Sequence, residues 1–353
     1  MYNYGNRLQN YAVTTLLQEA GAKAETIVIE KKQWQVYLKK FLLKTNLLPW
    51  VVAVLRKERP IRLYCKRRKK FKKFTDAYIP TRYYGPKDIE HLAGQYRYFL
   101  IGSDQVWNPD LAANEFDFAC FAAQEQKIAI APSFGTNEIP ELHKNRIGEH
   151  LKSFFRLSVR EQSGAQMIRE LTNLEAKVLV DPTMMLKREQ WYRMVRQPKS
   201  IDTSRPYIFS YFLGGKPPST QKAIAGFMKK IDAVEYSILD RASKELYTVD
   251  PGEFLWLIQH AALVCTDSFH ATVFSILFDR PFAVFKRDGA VDMFDRIETL
   301  LMTLGLEDRL PDVLQEESVF DHNYTNAYEH LEEKRKEAIQ YLKDAMPELE
   351  WSV

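Results

Sequence analysis

The chain has 353 residues, 46% of them hydrophobic and 27% charged, the composition of a folded protein long enough for two domains. Disordered and fibrous classes are excluded, and the longest apolar run, Leu47 to Leu55 with Pro49 inside it, is too short to span a bilayer. The net charge of +4 conceals a segment from Lys31 to Lys73 that carries 16 Lys/Arg against one acid, Glu58, so the remaining residues are net acidic.

Asn6 to Ala20 places Leu8, Ala12, Leu16 and Ala20 on one helical face, with Gly21 as the stop. Thr26 to Ile29 reads as a short buried strand. Beyond the basic segment, four apolar runs each end in a polar loop: Tyr98 to Ile101 before Gly102-Ser103-Asp104, Ile128 to Ala131 before Pro132-Ser133, Arg156 to Val159 before Arg160-Glu161, and Lys177 to Val180 before Asp181-Pro182. Short apolar strands followed by a loop and a helix predict a parallel sheet covered on both faces. The polar, Pro-flanked stretch 197–206 reads as a linker, after which the same grammar restarts. Strands are expected at Tyr207 to Phe212, Tyr236 to Leu239, Leu263 to Thr266 and Phe282 to Phe285. Helices are expected at Ser219 to Ile231, at Ser268 to Phe278, and after Asp250-Pro251-Gly252-Glu253, which has the residues of an N-terminal capping box. A long charged helix over Tyr324 to Leu342 closes the pattern. The prediction is α/β: an N-terminal Rossmann-like domain at 1–200 with a basic insertion at about 31–75, a second at 201–320, and a C-terminal helical segment at 321–353. In doubly wound sheets ligands bind outside the carboxyl ends of the strands, so the loops after the strands are the candidate site.

The basic segment admits three readings. Lys39, Lys40 and Lys44 with Phe41, Leu42, Leu43 and the 47–55 run form a cationic amphipathic stretch that could lie on an anionic membrane. Cys65 to Lys73 alone could attract nucleic acid, and a solvated helical insertion is the plain alternative. The interleaved apolar residues favour the membrane, and no nucleic-acid partner is expected. Cys65, Cys120 and Cys265 lack CxxC spacing, and Met1 to Gln18 lacks a basic-then-apolar leader pattern. The expected setting is therefore a reducing cytoplasm, with the protein peripheral on the inner face of the membrane.

Asn3-Tyr4-Gly5-Asn6 opening a helix, YFLIGSDQVWNP (98–109), SVREQSG (158–164), VLVDP (178–182) and TDSFHATVFSILFDRPF (266–282) together resemble the polysaccharide pyruvyl transferase family, in matching order over nearly the whole chain. The resemblance implies two Rossmann-like domains facing across a cleft, as in GT-B glycosyltransferases. It also implies transfer of pyruvate from phosphoenolpyruvate to a sugar of a surface polysaccharide or its lipid-linked precursor. Two departures stand out. Many members have a full strand before the Asn-Tyr-Gly loop, where only Met1 and Tyr2 stand here, and many carry Arg two places before the motif His, where this chain has Ser268. A second phosphate-binding cation must then come from elsewhere, or the donor differs.

His270 is the expected catalytic proton carrier, kept neutral near a helix N-terminus; a His satisfied within a packed helix start is the alternative. Arg160, at a strand end before a helix, suits a carboxylate or phosphate, or else pairs with a neighbouring acid. Gly5, Asn6 and Arg7 form a helix start suited to an anion. With Ser268 and Lys286 they complete the expected donor side. Ser103, Asp104, Gln105, Trp107 and Asn108 offer a carboxylate, amides and an aromatic surface to an acceptor sugar, although Trp107 could equally be core. Asp181 before Pro182 reads first as a cap. No His, Cys and carboxylate spacing points to a metal, and no cofactor is expected beside phosphoenolpyruvate as donor substrate. The alternatives are a GT-B glycosyltransferase using a nucleotide sugar and a non-catalytic saccharide-binding or assembly protein at the membrane.

Overall fold

The computed structural model describes residues 3–30, 61–109, 114–199, 201–239, 243, 245–287 and 294–351. Helix α1 (Tyr4–Glu19) begins two residues earlier than the apolar pattern suggested, because the Asn3 side chain accepts the Asn6 N–H and caps it. Strand β1 (Thr26–Ile29) pairs in parallel with β2 (Thr81–Tyr84), which the sequence reading did not anticipate. Between them lies α2 (Ile61–Tyr78), whose side-chain burial falls at Arg67, Phe71, Phe74 and Thr75, one face of a helix.

The first sheet runs β3 (Phe99–Gly102), β4 (Lys127–Ile130), β5 (Ser158–Val159) and β6 (Lys177–Val178). Strands β3–β4 and β5–β6 are parallel pairs, and a parallel bridge from Ile128 to Arg156 joins them. Helices α3 (Glu141–Lys152) and α4 (Gln162–Thr172) connect its strands, and the short α5 (Pro182–Met185) and α6 (Arg188–Tyr192) follow it. The second sheet comprises β7 (Tyr207–Tyr211), β8 (Val234–Ile238), β9 (Leu263–Thr266) and β10 (Phe282–Val284). They are ordered β10-β9-β7-β8 and are all parallel. Its crossovers are α7 (Pro218–Lys230), α8 (Pro251–Gln259) and α9 (Phe269–Leu277). Asp250 and Glu253 form the expected capping box at the start of α8. Strands β8 and β9 leave β7 on opposite sides, so a topological switch point opens at the carboxyl ends of β7 and β9.

Two further helices, α10 (Asp295–Thr303) and α11 (Thr325–Ala345), complete the chain. The residues just before and within the first turn of α11 lie on the second half, where the Tyr324 and Tyr328 hydroxyls donate to the Arg280 and Ile276 carbonyls. Its later turns lie on the first half. There Arg335 donates to the Met184 and Leu186 carbonyls, and the Tyr341 hydroxyl donates to Ala129 in β4. The largest apolar core is likewise shared: Tyr4, Leu8, Phe71, Met184, Phe254, Phe274 and Leu331 belong to one cluster.

The basic segment divides. In α2, Arg67 is buried and donates to the Tyr4 hydroxyl and the Tyr247 carbonyl, each at 2.8 Å, and Lys70 pairs with Glu253 at 2.7 Å. Arg62, Lys66, Arg68, Lys69, Lys72 and Lys73 are exposed. The expected membrane-facing apolar residues Phe41, Leu42, Leu43 and the 47–55 run lie outside the described residues.

Candidate functional site

The site is assembled from loops at the carboxyl ends of strands in both halves. From the first half comes Asp181, fully buried, the N-cap of α5. Its Oδ1 accepts the Thr183 amide at 3.0 Å and the Thr183 hydroxyl at 2.7 Å. Its Oδ2 lies 2.6 Å from Arg160 Nη1 and 2.6 Å from the Ser103 hydroxyl. The Ser103 amide in turn donates to Gln9 of α1 at 3.0 Å, which ties the helix at the start of the chain to the end of β3.

From the second half comes His270, the second residue of α9, with Nε2 3.7 Å from Asp181 Oδ2. The imidazole lies flat on the backbone of Gly5: a Cβ built there would stand 2.1 Å from Nδ1 and 2.4 Å from Cε1. Gly5 is therefore the residue that lets α1 and α9 approach. Phe269, beside His270, places its ring 4.1 Å from the Arg160 guanidinium carbon, a cation–π contact.

Burial governs the electrostatics. It pushes the His270 imidazole below its ordinary range, against the pull of Asp181 and Asp104 and with the help of Arg160 and Arg296, so the ring is neutral at pH 7. Burial alone would raise the Asp181 carboxyl; His270, Arg160, Ser103 and the Thr183 amide together overcome it and hold the group at about 2. Glu161, at the N-cap of α4, is pushed up by burial; its Oε1 accepts the Phe134 amide at 2.9 Å and its Oε2 has no partner. Arg296, at the start of α10, is buried beside these groups. Burial first, then repulsion from Arg160, lowers it to about 10. With the Gln105 amide oxygen turned toward it, Arg296 donates both terminal nitrogens at 3.0 and 3.1 Å.

At the switch point Asp267 occupies the loop amides itself. Its carboxylate accepts the Leu213 and Gly214 N–H groups at 2.7 and 2.8 Å and Arg287 Nε at 2.7 Å. Among the described residues, no group of three or more His, Cys, Asp or Glu side chains could hold a metal ion.

The structure thus brings together His270, Arg160, Gly5 and Ser103, with Asp104 and Gln105 in the adjoining loop. Ser103 lies on the donor-side cluster through Asp181, not in an open acceptor surface. Trp107 corrects the sequence expectation. It is fully buried between Phe118, Phe134 and Phe154, so its ring offers no face to a sugar. Asn108 is buried against Gly135. Lys286 is half exposed and pairs with Asp312, and Arg7 donates to Asn6 at 3.3 Å. Ser268 is the N-cap of α9, and its own carbonyl accepts from the Thr272 hydroxyl. Asp181 is the cap it was expected to be and also the center of the cluster. Sequence reasoning missed Arg296, Glu161, Asp267 and Arg287. Asp267 and Glu161 adjoin singled-out residues, whereas Arg296 stands in a stretch with no motif.

Two parallel Rossmann-like sheets with their carboxyl ends converging on one site define the GT-B class of fold. The chain superposes on a Listeria monocytogenes protein assigned as a UDP-N-acetylglucosamine 2-epimerase with a TM-score of 0.52 and 9% identity, covering 99% of this chain and 96% of that one. A UDP-GlcNAc 2-epimerase from Neisseria meningitidis, bound to UDP-GlcNAc, gives 0.44 at 12% identity, covering 97% and 98%. The first likeness is one of fold. Within that class the chain belongs to the polysaccharide pyruvyl transferase family, whose sequence model matches residues 3–289. A search of curated proteins matched none to this chain. Among the described residues, no helix is long and apolar enough to cross a membrane.

Proposed function

We propose that the protein transfers pyruvate from phosphoenolpyruvate to a sugar hydroxyl of a surface polysaccharide or its lipid-linked precursor, closing a cyclic ketal with a second hydroxyl. The observation that carries the reading is the meeting of a neutral, buried imidazole with a buried guanidinium on one carboxylate, supplied from both halves of a GT-B fold. In this mechanism His270 takes the proton of the attacking hydroxyl as its oxygen bonds to C2 of the enolpyruvyl group. The imidazolium, 3.7 Å from Asp181, returns that proton to the methylene carbon C3. The C2–O bond to phosphate then breaks, a second sugar hydroxyl adds at C2, and its proton leaves with the phosphate. Arg160 steadies the anionic donor throughout.

His270 and Arg160 are 5% and 3% exposed, and the cavity beside Arg160 and Phe269 is about 70 Å³, room for roughly two waters. Binding therefore needs the facing loops to part and close again, which also shuts water out. The exposed cations of α2 would hold the protein on the anionic inner face of the membrane, where lipid-linked acceptors reside. The nucleotide-sugar alternative is weakened by Asp267, because the switch-point amides that could take a diphosphate already hold a carboxylate. Incubation with phosphoenolpyruvate and candidate acceptors tests the reading. Acceptor-dependent phosphate release that falls about 100-fold in His270→Ala supports it, and nucleotide release from a nucleotide sugar instead overturns it.

A further inference from the structure

Arg160 is buried with its Nη1 committed to Asp181, and its Nε and Nη2 have no partner; Arg296 is 8% exposed and its Nε has none either. The two charges are near enough to repel one another, the second largest influence on Arg296 after burial. Packing two guanidiniums in one dry region is costly unless an anion joins them. The placement is built: the Ser163 hydroxyl at the start of α4 donates to Asp295 at the start of α10 at 2.6 Å, so the N-terminal turns of two helices are locked together beside Arg160 and Arg296. Both turns present the positive end of a helix dipole. Gln105 grips the terminal nitrogens of Arg296 and fixes the side chain without neutralising it.

We propose that Arg296 and Arg160 form a paired-guanidinium cradle for one phosphoryl dianion, with Arg296 as the second cation of the site. Only the identity of the donor that carries the phosphoryl group rests on the pyruvyl-transfer reading; the cradle itself rests on these contacts. Arg296 lies outside residues 3–289, so the family match does not assign it a role.

Calorimetric titration with inorganic phosphate and with phosphoenolpyruvate, on the full-length protein and on Arg296→Gln and Arg296→Lys, tests the cradle. Gln keeps the bond to Gln105 while removing the charge; Lys keeps the charge and loses the fork. Phosphate affinity should fall at least tenfold in Arg296→Gln and by less in Arg296→Lys. Urea unfolding without ligand should show Arg296→Gln as stable as the parent or more so, since a repelled charge is gone. Unchanged phosphate affinity in both variants, absence of phosphate binding in the parent, or a large loss of unliganded stability in both variants would overturn the proposal. If phosphate binding depends on Arg296 but phosphoenolpyruvate supports no turnover, the cradle stands and the donor reading falls.

Discussion

Gly5→Ala is the most discriminating single change. The new Cβ would stand 2.1, 2.4 and 2.6 Å from His270 Nδ1, Cε1 and Cγ, against the roughly 3.5 to 4 Å of an ordinary carbon contact. Helix α1 cannot yield, because Tyr4 is stacked on Phe254 at 4.4 Å and bonded to the Val249 carbonyl at 2.8 Å. The imidazole must move by more than about 1 Å, a displacement that costs on the order of 100-fold in rate. Overpacking costs about 1–3 kcal/mol. Alanine recovers up to about 1 kcal/mol over glycine within a helix. The expected result is a 100-fold fall in kcat/KM for phosphate release with a stability loss of about 2 kcal/mol or less by urea unfolding. Gly226→Ala is the control, since it lies on the exposed side of α7 with nothing within 4 Å of the added methyl. That variant should gain about 0.5–1 kcal/mol and keep full activity. A Gly5→Ala enzyme with activity within twofold of the parent would refute the role given to His270.

Arg160→Lys should weaken phosphoenolpyruvate binding by about tenfold or more by calorimetry, because one ammonium cannot reproduce the fork; unchanged affinity would make Arg160 a structural partner of Asp181. Asp181→Asn leaves the buried Arg160 charge unpaired and should cost about 3–5 kcal/mol in urea unfolding, whereas a loss under 1 kcal/mol would contradict the cluster. His270 is depressed in the folded state, so the unfolded chain binds its proton first; stability should decline as pH falls below about 6.5, and His270→Gln should flatten that slope. Asp181 is also depressed, and its contribution should persist until pH falls below about 4 and vanish toward about 2. The protein should co-sediment with anionic vesicles at low salt and detach at 1 M, where the Debye length is about 3 Å; indifference to anionic vesicles at low salt would return α2 to a solvated helix.

Strand positions were readable because parallel strands buried on both faces are continuous apolar runs, as at Leu263 to Thr266, where the expected and observed bounds coincide. Strand β2 was not, because Thr81, Arg82 and Tyr83 are partly or fully exposed and carry no such run. Helix α2 hid its register under charge: eight Lys/Arg in 18 residues mask Arg67, Phe71 and Phe74 as a buried face. His270 and Arg160 could be found because each adjoins the end of a strand. Arg296 could not, since its meaning comes from Arg160, 136 residues away in sequence, and from packing that no local pattern encodes. Trp107 misled for the same reason, as a loop aromatic gives no sign of which three phenylalanines will cover it.

The docking of α1 has a consequence for synthesis. Tyr4 leaves the ribosome among the first residues, yet the Val249 carbonyl that its hydroxyl meets comes 245 residues later, and His270, which rests on Gly5, comes later still. At roughly 5–20 residues per second that interval is about 10 to 50 s. Through it the leading end of the helix, with the Tyr4 ring and the bare Gly5 backbone, has no permanent partner and must be shielded or transiently buried elsewhere. The floor of the catalytic pocket is thus the first part of the protein to be made and among the last to be put in place. A nascent chain stalled before residue 270 has its first sheet but no active site.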